Sequence, residues 1–197
     1  MRLIKKKSEL NNLVEQTKKR EKIKKEKVDV KWIIIIVIIA FVISFLLSLV
    51  ANTTIPNLSL TFGIIITLVF IFIGIIFDII GVSVTSADEA VFHSMNSRKV
   101  KGASVAVKFK KNADKTSNFC CDVIGDVCGV ISGAAGTTIC AILVTKYHTD
   151  LLITGLVITA VISSLTIGGK AIGKSFAINK SDIILYEFAK FISNFYH

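Results

Sequence analysis

Five ionisable side chains lie in or against long apolar runs, and they are the groups in this sequence best placed to do chemistry. Asp78 interrupts FIGIIFDIIGV. Asp122 and Asp126 open a later apolar run, and their four-residue spacing predicts that they share one helix face. Lys170 and Lys174 close another run with the same spacing. An ionised side chain at the centre of a membrane helix costs ~2.5–3.5 kcal/mol on insertion scales, so each must meet a partner or water rather than lipid. Two uses follow from charge alone: Asp–Lys pairs through which helices recognise each other, or an ion path. Catalysis is not among them. The three histidines are scattered, no Ser/His/Asp or Cys/His nucleophile set occurs, and the carboxylates have no positioned partner. Cys120, Cys121, Cys128 and Cys140 have neither metal-site spacing nor a disulfide framework. The expectation is a protein that is not an enzyme and holds no resident cofactor.

The elements that must position these charges are four apolar runs. Trp32–Ala51 is twenty residues without a charge, Leu60–Phe77 eighteen, and Val127–Thr145 and Leu151–Gly169 nineteen each. A helix needs about 20 apolar residues to cross a hydrocarbon core of about 30 Å. In lipid the backbone must satisfy its own hydrogen bonds, which selects helices. The class is therefore an all-α membrane protein with four transmembrane helices, expected over about 32–51, 60–84, 123–145 and 151–169.

The net charge of +10 is compatible with a mean hydropathy of +0.68 because the charge is segregated. Residues 1–31 carry twelve Lys/Arg against five acids, and Arg98–Lys115 seven against one, whereas Asn52–Ser59 has none. Lys and Arg concentrate in cytoplasmic loops, so the expected topology has both termini inside, in the cell membrane. The leader 1–31 reads as a topology signal and solvated tail rather than as a segment drawn to anionic lipid, and no nucleic-acid partner is expected. The first span is too long for a cleaved signal and reads as a retained anchor.

Gly125, Gly129 and Gly133 recur every four residues in GDVCGVISGAAG, a spacing that lets helix backbones approach closely in lipid. Residues 87–119 are expected to form a cytoplasmic helix–turn–helix, with Ala90, Val91 and Met95 on one apolar face, Gly102 at the turn, and Ala103, Ala106 and Phe109 on the other. Ser181–His197 places Ile184, Phe188, Ile192 and Phe195 on one side, which predicts an amphipathic helix in the inner interface.

The order of these pieces resembles the transmembrane domain of the cyclin-M and CorB/CorC magnesium-transport family. The resemblance runs over about residues 60–195 through VTSADEAVFHSMNSRKVKG (Val84–Gly102), VIGDVCGVISGAAG (Val123–Gly136) and IGGKAIGKSFAINKSDIILYEFAKFI (Ile167–Ile192). These stand against family patterns of roughly FSxSETAxxS, IGNN and GExxPKxxA. It implies a dimeric membrane domain, paired with itself or with a full-length relative, that binds dehydrated Mg²⁺ between its spans through oxygen ligands. By position, Thr85 falls on the first serine, Ala87 on the second, Asp88 on the motif glutamate and Asp126 on the first asparagine. Thr85, Asp88 and Asp126 are thus the implied metal ligands. Lys170 stands where the family has a glutamate, Gly173 where it has a proline, and Lys174 on the family's lysine.

Lys170 reverses the charge at a cation site. Two unit charges 4 Å apart interact by ~4 kcal/mol at an effective dielectric of 20, so Lys170 is expected to pair with Asp126 and fill the cation's place. Removing Lys170 would then strand a buried Asp126. The family's nucleotide-sensing CBS modules have no counterpart in these 197 residues, and Trp32–Ala51 stands as an additional first span. Two functions follow: divalent cation (Mg²⁺/Co²⁺) transport with a remodelled site, or a non-transporting membrane subunit that keeps the fold and the dimer surface.

Overall fold

A computed structural model of the chain describes residues 30–54 and 59–195. Apart from Val30 and Lys31, the basic leader lies outside the described residues. The elements are α1 (Val30–Thr54), α2 (Leu60–Ser86), α3 (Glu89–Ser97), α4 (Ala103–Lys111), α5 (Ala113–Asn118), a π-helical segment (Phe119–Gly125), α6 (Asp126–Tyr147), α7 (Leu151–Asn179) and α8 (Ser181–Phe195). Among the described residues four helical stretches are long and apolar enough to cross a bilayer: Lys31–Val50, Leu60–Ser86, Ala113–Tyr147 and Leu151–Asn179. The fourth runs ten residues past Gly169, so Lys170 and Lys174 sit within a continuous helix rather than at its end.

Residues 1–35 and 36–197 form two units, and of the first only the opening of α1 is described. In the second unit α2 is the central element, packed by α6, α7, the π segment, α5 and α8. Local chemistry sets the boundaries. Asp150 starts α7 by accepting from the backbone N–H groups of Leu152 and Ile153 at 2.8 and 3.3 Å. Asp88 starts α3 by accepting from Ala90 N–H at 3.0 Å. The carbonyls left unpaired at the end of α2 receive a distant side chain: Lys110 Nζ donates to Val84 O at 3.1 Å and to Thr85 O at 2.8 Å.

Two apolar cores result. One joins Val84, Ala87, Phe92, Ala106, Val107, Leu185 and Ala189, and so ties α3, α4 and α8 to the end of α2. The other joins Val127, Ile131 and Ala135 of α6, with Ile43 and Phe70 packed against it. The buried residue of α3 is Phe92, while Ala90 and Val91 are exposed, so its inward face is turned from the one expected. On α8 the buried positions are Ser181, Leu185 and Ala189, the last two flanked by the half-buried Ile184, Phe188 and Ile192. The apolar stripe of α8 is wide, and Leu185 and Ala189 at its centre join the core with Ala106 and Val107 of α4. Phe188 stacks on Phe109 with ring centroids 5.7 Å apart.

Gly102 is required twice over. Its φ is +86°, and a Cβ there would stand 2.8 Å from Lys190 Cα. Backbone of α8 cannot yield as a flexible side chain would. Gly102→Ala is expected to lower stability by about 2–3 kcal/mol, combining left-handed strain with overpacking. Thermal unfolding of the purified protein in detergent measures it, and an unchanged Tm would show that α8 does not rest on this turn.

Candidate functional site

The site begins with glycines. On α2, Gly74, Asp78 and Gly81 follow one another at helical spacing. A Cβ at Gly74 would lie 3.2 Å from both Gly125 O and Cys128 Cβ, and one at Gly81 would collide with Cys121 Sγ and stand 3.1 Å from Ser117 O. These two close approaches seat α2 on the π segment and the start of α6, and Asp78 between them is 3% exposed. The Cys121 thiol, in the π turn, donates to the backbone carbonyl of Asp78 at 3.6 Å.

Glycine also sets α7. Ile75 of α2 lies over Gly169, and Ile79 Cγ1 would be 2.8 Å from a Cβ at Gly173. Ridges spaced by four residues on one helix thus enter gaps of the same spacing on the other. Lys170 and Lys174 each follow one of these glycines, and the packing delivers each ammonium to a carboxylate of a different helix. Lys170 Nζ stands 3.1 Å from Asp126 Oδ1. Lys174 Nζ stands 3.7 Å from Asp78 Oδ2, an oxygen that accepts no hydrogen bond.

The two pairs differ in surroundings. The Asp126 side chain is 68% exposed and that of Lys170 21%, whereas Asp78 contributes 4% against 52% for Lys174. The stranded buried charge expected at Asp126 is therefore found at Asp78. Asp122 pairs with neither lysine. It lies exposed in the π turn, as Asp126 does at the start of α6.

Of the three implied metal ligands, Thr85 donates its hydroxyl to Val82 O at 2.9 Å, and Asp88 is engaged as the α3 cap. Asp182 Oδ1 accepts from the Asp88 backbone N–H at 2.8 Å. Gly74 marks the level of Gly125 and Asp126 on α2, and Thr85 lies eleven residues further, about 16 Å along the axis. Thr85, Asp88 and Asp126 are thus not assembled around one point and do not fit a preformed Mg²⁺ site. Among the described residues no group of three or more His, Cys, Asp or Glu side chains is placed to hold a metal ion.

Of the glycine stripe, Gly125 makes the close contact expected, but Gly129 and Gly133 meet nothing within 4 Å. They line an open cleft of about 220 Å³ between α6 and α7, together with Thr159, Ile162, Ser163, Thr166 and Ile167. Thr159, Ser163, Thr166, Lys170 and Lys174 follow at intervals of four, three, four and four, forming one polar stripe along α7. Thr159 and Thr166 donate to Gly155 O and Ile162 O, both at 2.8 Å, which leaves their oxygen lone pairs as acceptors. A second cavity of about 240 Å³, between α2, α6 and α7, is apolar except for Thr67, whose hydroxyl is bonded to Gly63 O.

Sequence reasoning missed the Asp78–Lys174 pair and the hydroxyl stripe. The signals were the glycines flanking Asp78, the repeated Gly-Lys at 169–170 and 173–174, and the Thr/Ser spacing of α7. Fold and site together define a helical protein with four potential membrane spans among the described residues, in which the α7 stripe that lines a hydroxyl-bearing cleft continues into two interhelical carboxylate–ammonium pairs. No family model, no curated protein and no solved structure matches the chain.

Proposed function

We propose that the chain is an integral membrane protein of divalent cation (Mg²⁺/Co²⁺) transport or homeostasis, built on a transmembrane layout like that of the cyclin-M and CorB/CorC family. The observation that carries this reading is the pair of lysines on α7. Lys170 and Lys174 stand as tethered cations against Asp126 and Asp78, beside a cleft lined with hydroxyl acceptors. A path for small cations needs oxygen donors and negative countercharge; the hydroxyls of the α7 stripe supply the first, and Asp126 and Asp78, here held by the two ammonium groups, supply the second. In this reading both termini and the α3–α4 hairpin lie on the cytoplasmic side of the cell membrane. The exposed Ile183 and Phe191 of α8 rest in the inner interface. The protein works as a dimer, with itself or with a full-length relative.

A second reading, a non-transporting structural or regulatory subunit, is favoured by the separation of Thr85 from the level of Asp126 along α2. Mg²⁺ flux into proteoliposomes distinguishes the two, comparing the natural chain with Lys170→Glu. Flux from the natural chain would show that cations pass with Lys170 in place. Silence from it together with flux from Lys170→Glu would show that the ammonium occupies the cation's position. Silence from both defeats the transport reading and leaves the subunit.

A further inference from the structure

We infer that the solvent face of the α3–α4 hairpin is a binding surface for the anionic headgroups of the lipid leaflet beside it. The inference stands on charge and placement in the fold, independently of any transport activity.

The apolar side of α4 is already occupied. Ala103 and Ala106 are fully buried and Val107 is 7% exposed, all against the core that includes Phe92 and Leu185. What α4 leaves outside is Ser104, Lys108 and Lys111, and the turn before it adds Arg98, Lys99 and Lys101, all exposed. The one acid in Arg98–Lys115 is Asp114. Five exposed cations thus gather on a short element whose hydrophobic contacts are satisfied elsewhere. Such a face does not insert into a membrane; it attracts charge.

Its position selects the partner. Lys110, on the same helix, reaches the final carbonyls of α2 at Val84 and Thr85, fixing the C-terminal turn of α4 against the end of a membrane-length helix. The chain then continues through α5 and the π segment into α6, the next such helix. The C-terminal end of the basic element is therefore tied to two such helices, which sets Lys108 and Lys111 beside the end of α2. A surface held there meets lipid phosphate at a local concentration no soluble anion matches, within the range over which basic side chains are drawn to an anionic leaflet.

A nitroxide on Ser104→Cys, between Lys101 and Lys108, reports on this face. The full chain is reconstituted into vesicles whose headgroups carry a chelated paramagnetic ion, in phosphatidylcholine alone or with about 30% phosphatidylglycerol, and relaxation of the nitroxide is expected to rise roughly twofold with the anionic lipid. Replacing Arg98, Lys101, Lys108 and Lys111 by Gln, and Lys99 by Asn to suit its φ of +55°, should remove that rise while the Tm in detergent stays unchanged. High salt should reduce the rise in the natural chain. Equal relaxation in both lipid mixtures, or an undiminished rise in the substituted chain, would overturn the proposal. So would a rise that inorganic phosphate alone abolishes at low millimolar concentration, since the surface would then be a site for a small anion.

Discussion

Lys174→Ala is expected to be the most damaging single substitution of a charged residue in this protein. Asp78 is 3% exposed and its Oδ2 accepts no hydrogen bond, so the ammonium 3.7 Å away is its countercharge. Removing one member of a buried pair leaves the other desolvated and uncompensated, which costs about 3–5 kcal/mol. Removing both need not, because the desolvation cost disappears with the charge. Asp78→Asn should therefore recover most of the loss in the double variant. Lys170→Ala should cost less than Lys174→Ala, because its partner Asp126 keeps a side chain that is 68% exposed. Chemical or thermal unfolding of the four chains of the Asp78–Lys174 cycle, in one detergent, gives the coupling directly. Additive losses at the two positions would mean that the residues do not sense each other.

Gly74→Leu is expected to separate α2 from the start of α6. A Cβ at Gly74 would already stand 3.2 Å from the backbone oxygen of Gly125, and Gly125 in turn has Gly74 O 3.6 Å from its own Cβ position. The two glycines face each other, so backbone meets backbone and no side chain can swing aside. Overpacking of a close contact costs about 1–3 kcal/mol, more where the obstacle cannot move. A Cβ at Gly129 would meet nothing within 4 Å, and the open cleft beside it should let the isolated fold tolerate a leucine there. The contrast between Gly74→Leu and Gly129→Leu, read as monodisperse yield and Tm in detergent, tests the helix contact itself. Similar behaviour of both variants would place the tight approach elsewhere.

The spans were legible because hydropathy over eighteen or more residues has one structural solution in lipid. The Asp126–Lys170 pair was legible because a lysine stood where a resemblance called for an acid. The Asp78–Lys174 pair was not. It depends on which way α2 turns, and that is decided by Gly74 and Gly81, two small residues whose importance is visible only once their neighbours are known. The π turn at Phe119–Gly125 was equally hidden, since an altered hydrogen-bond step leaves no mark on apolar periodicity. Phe92 and Leu185 show a related limit. On short or broadly apolar helices several stripes compete, and the partner surface chooses among them. Thr85 and Asp88 show another: a residue type that suits a cation also suits a helix end, and both lie at the boundary between α2 and α3.

The core formed by Val84, Phe92, Ala106, Leu185 and Ala189 imposes an order on biogenesis. About a hundred residues of chain, including two whole spans, separate Val84 from the α8 residues that cover it, and contacts of such sequence separation form late. During translation the α3–α4 hairpin emerges with Phe92 uncovered and remains so until Ser181–Phe195 has left the ribosome. Insertion of the third and fourth spans must then be finished before the hairpin closes, and a nascent chain stalled ahead of α8 would present an open apolar face to chaperones and proteases.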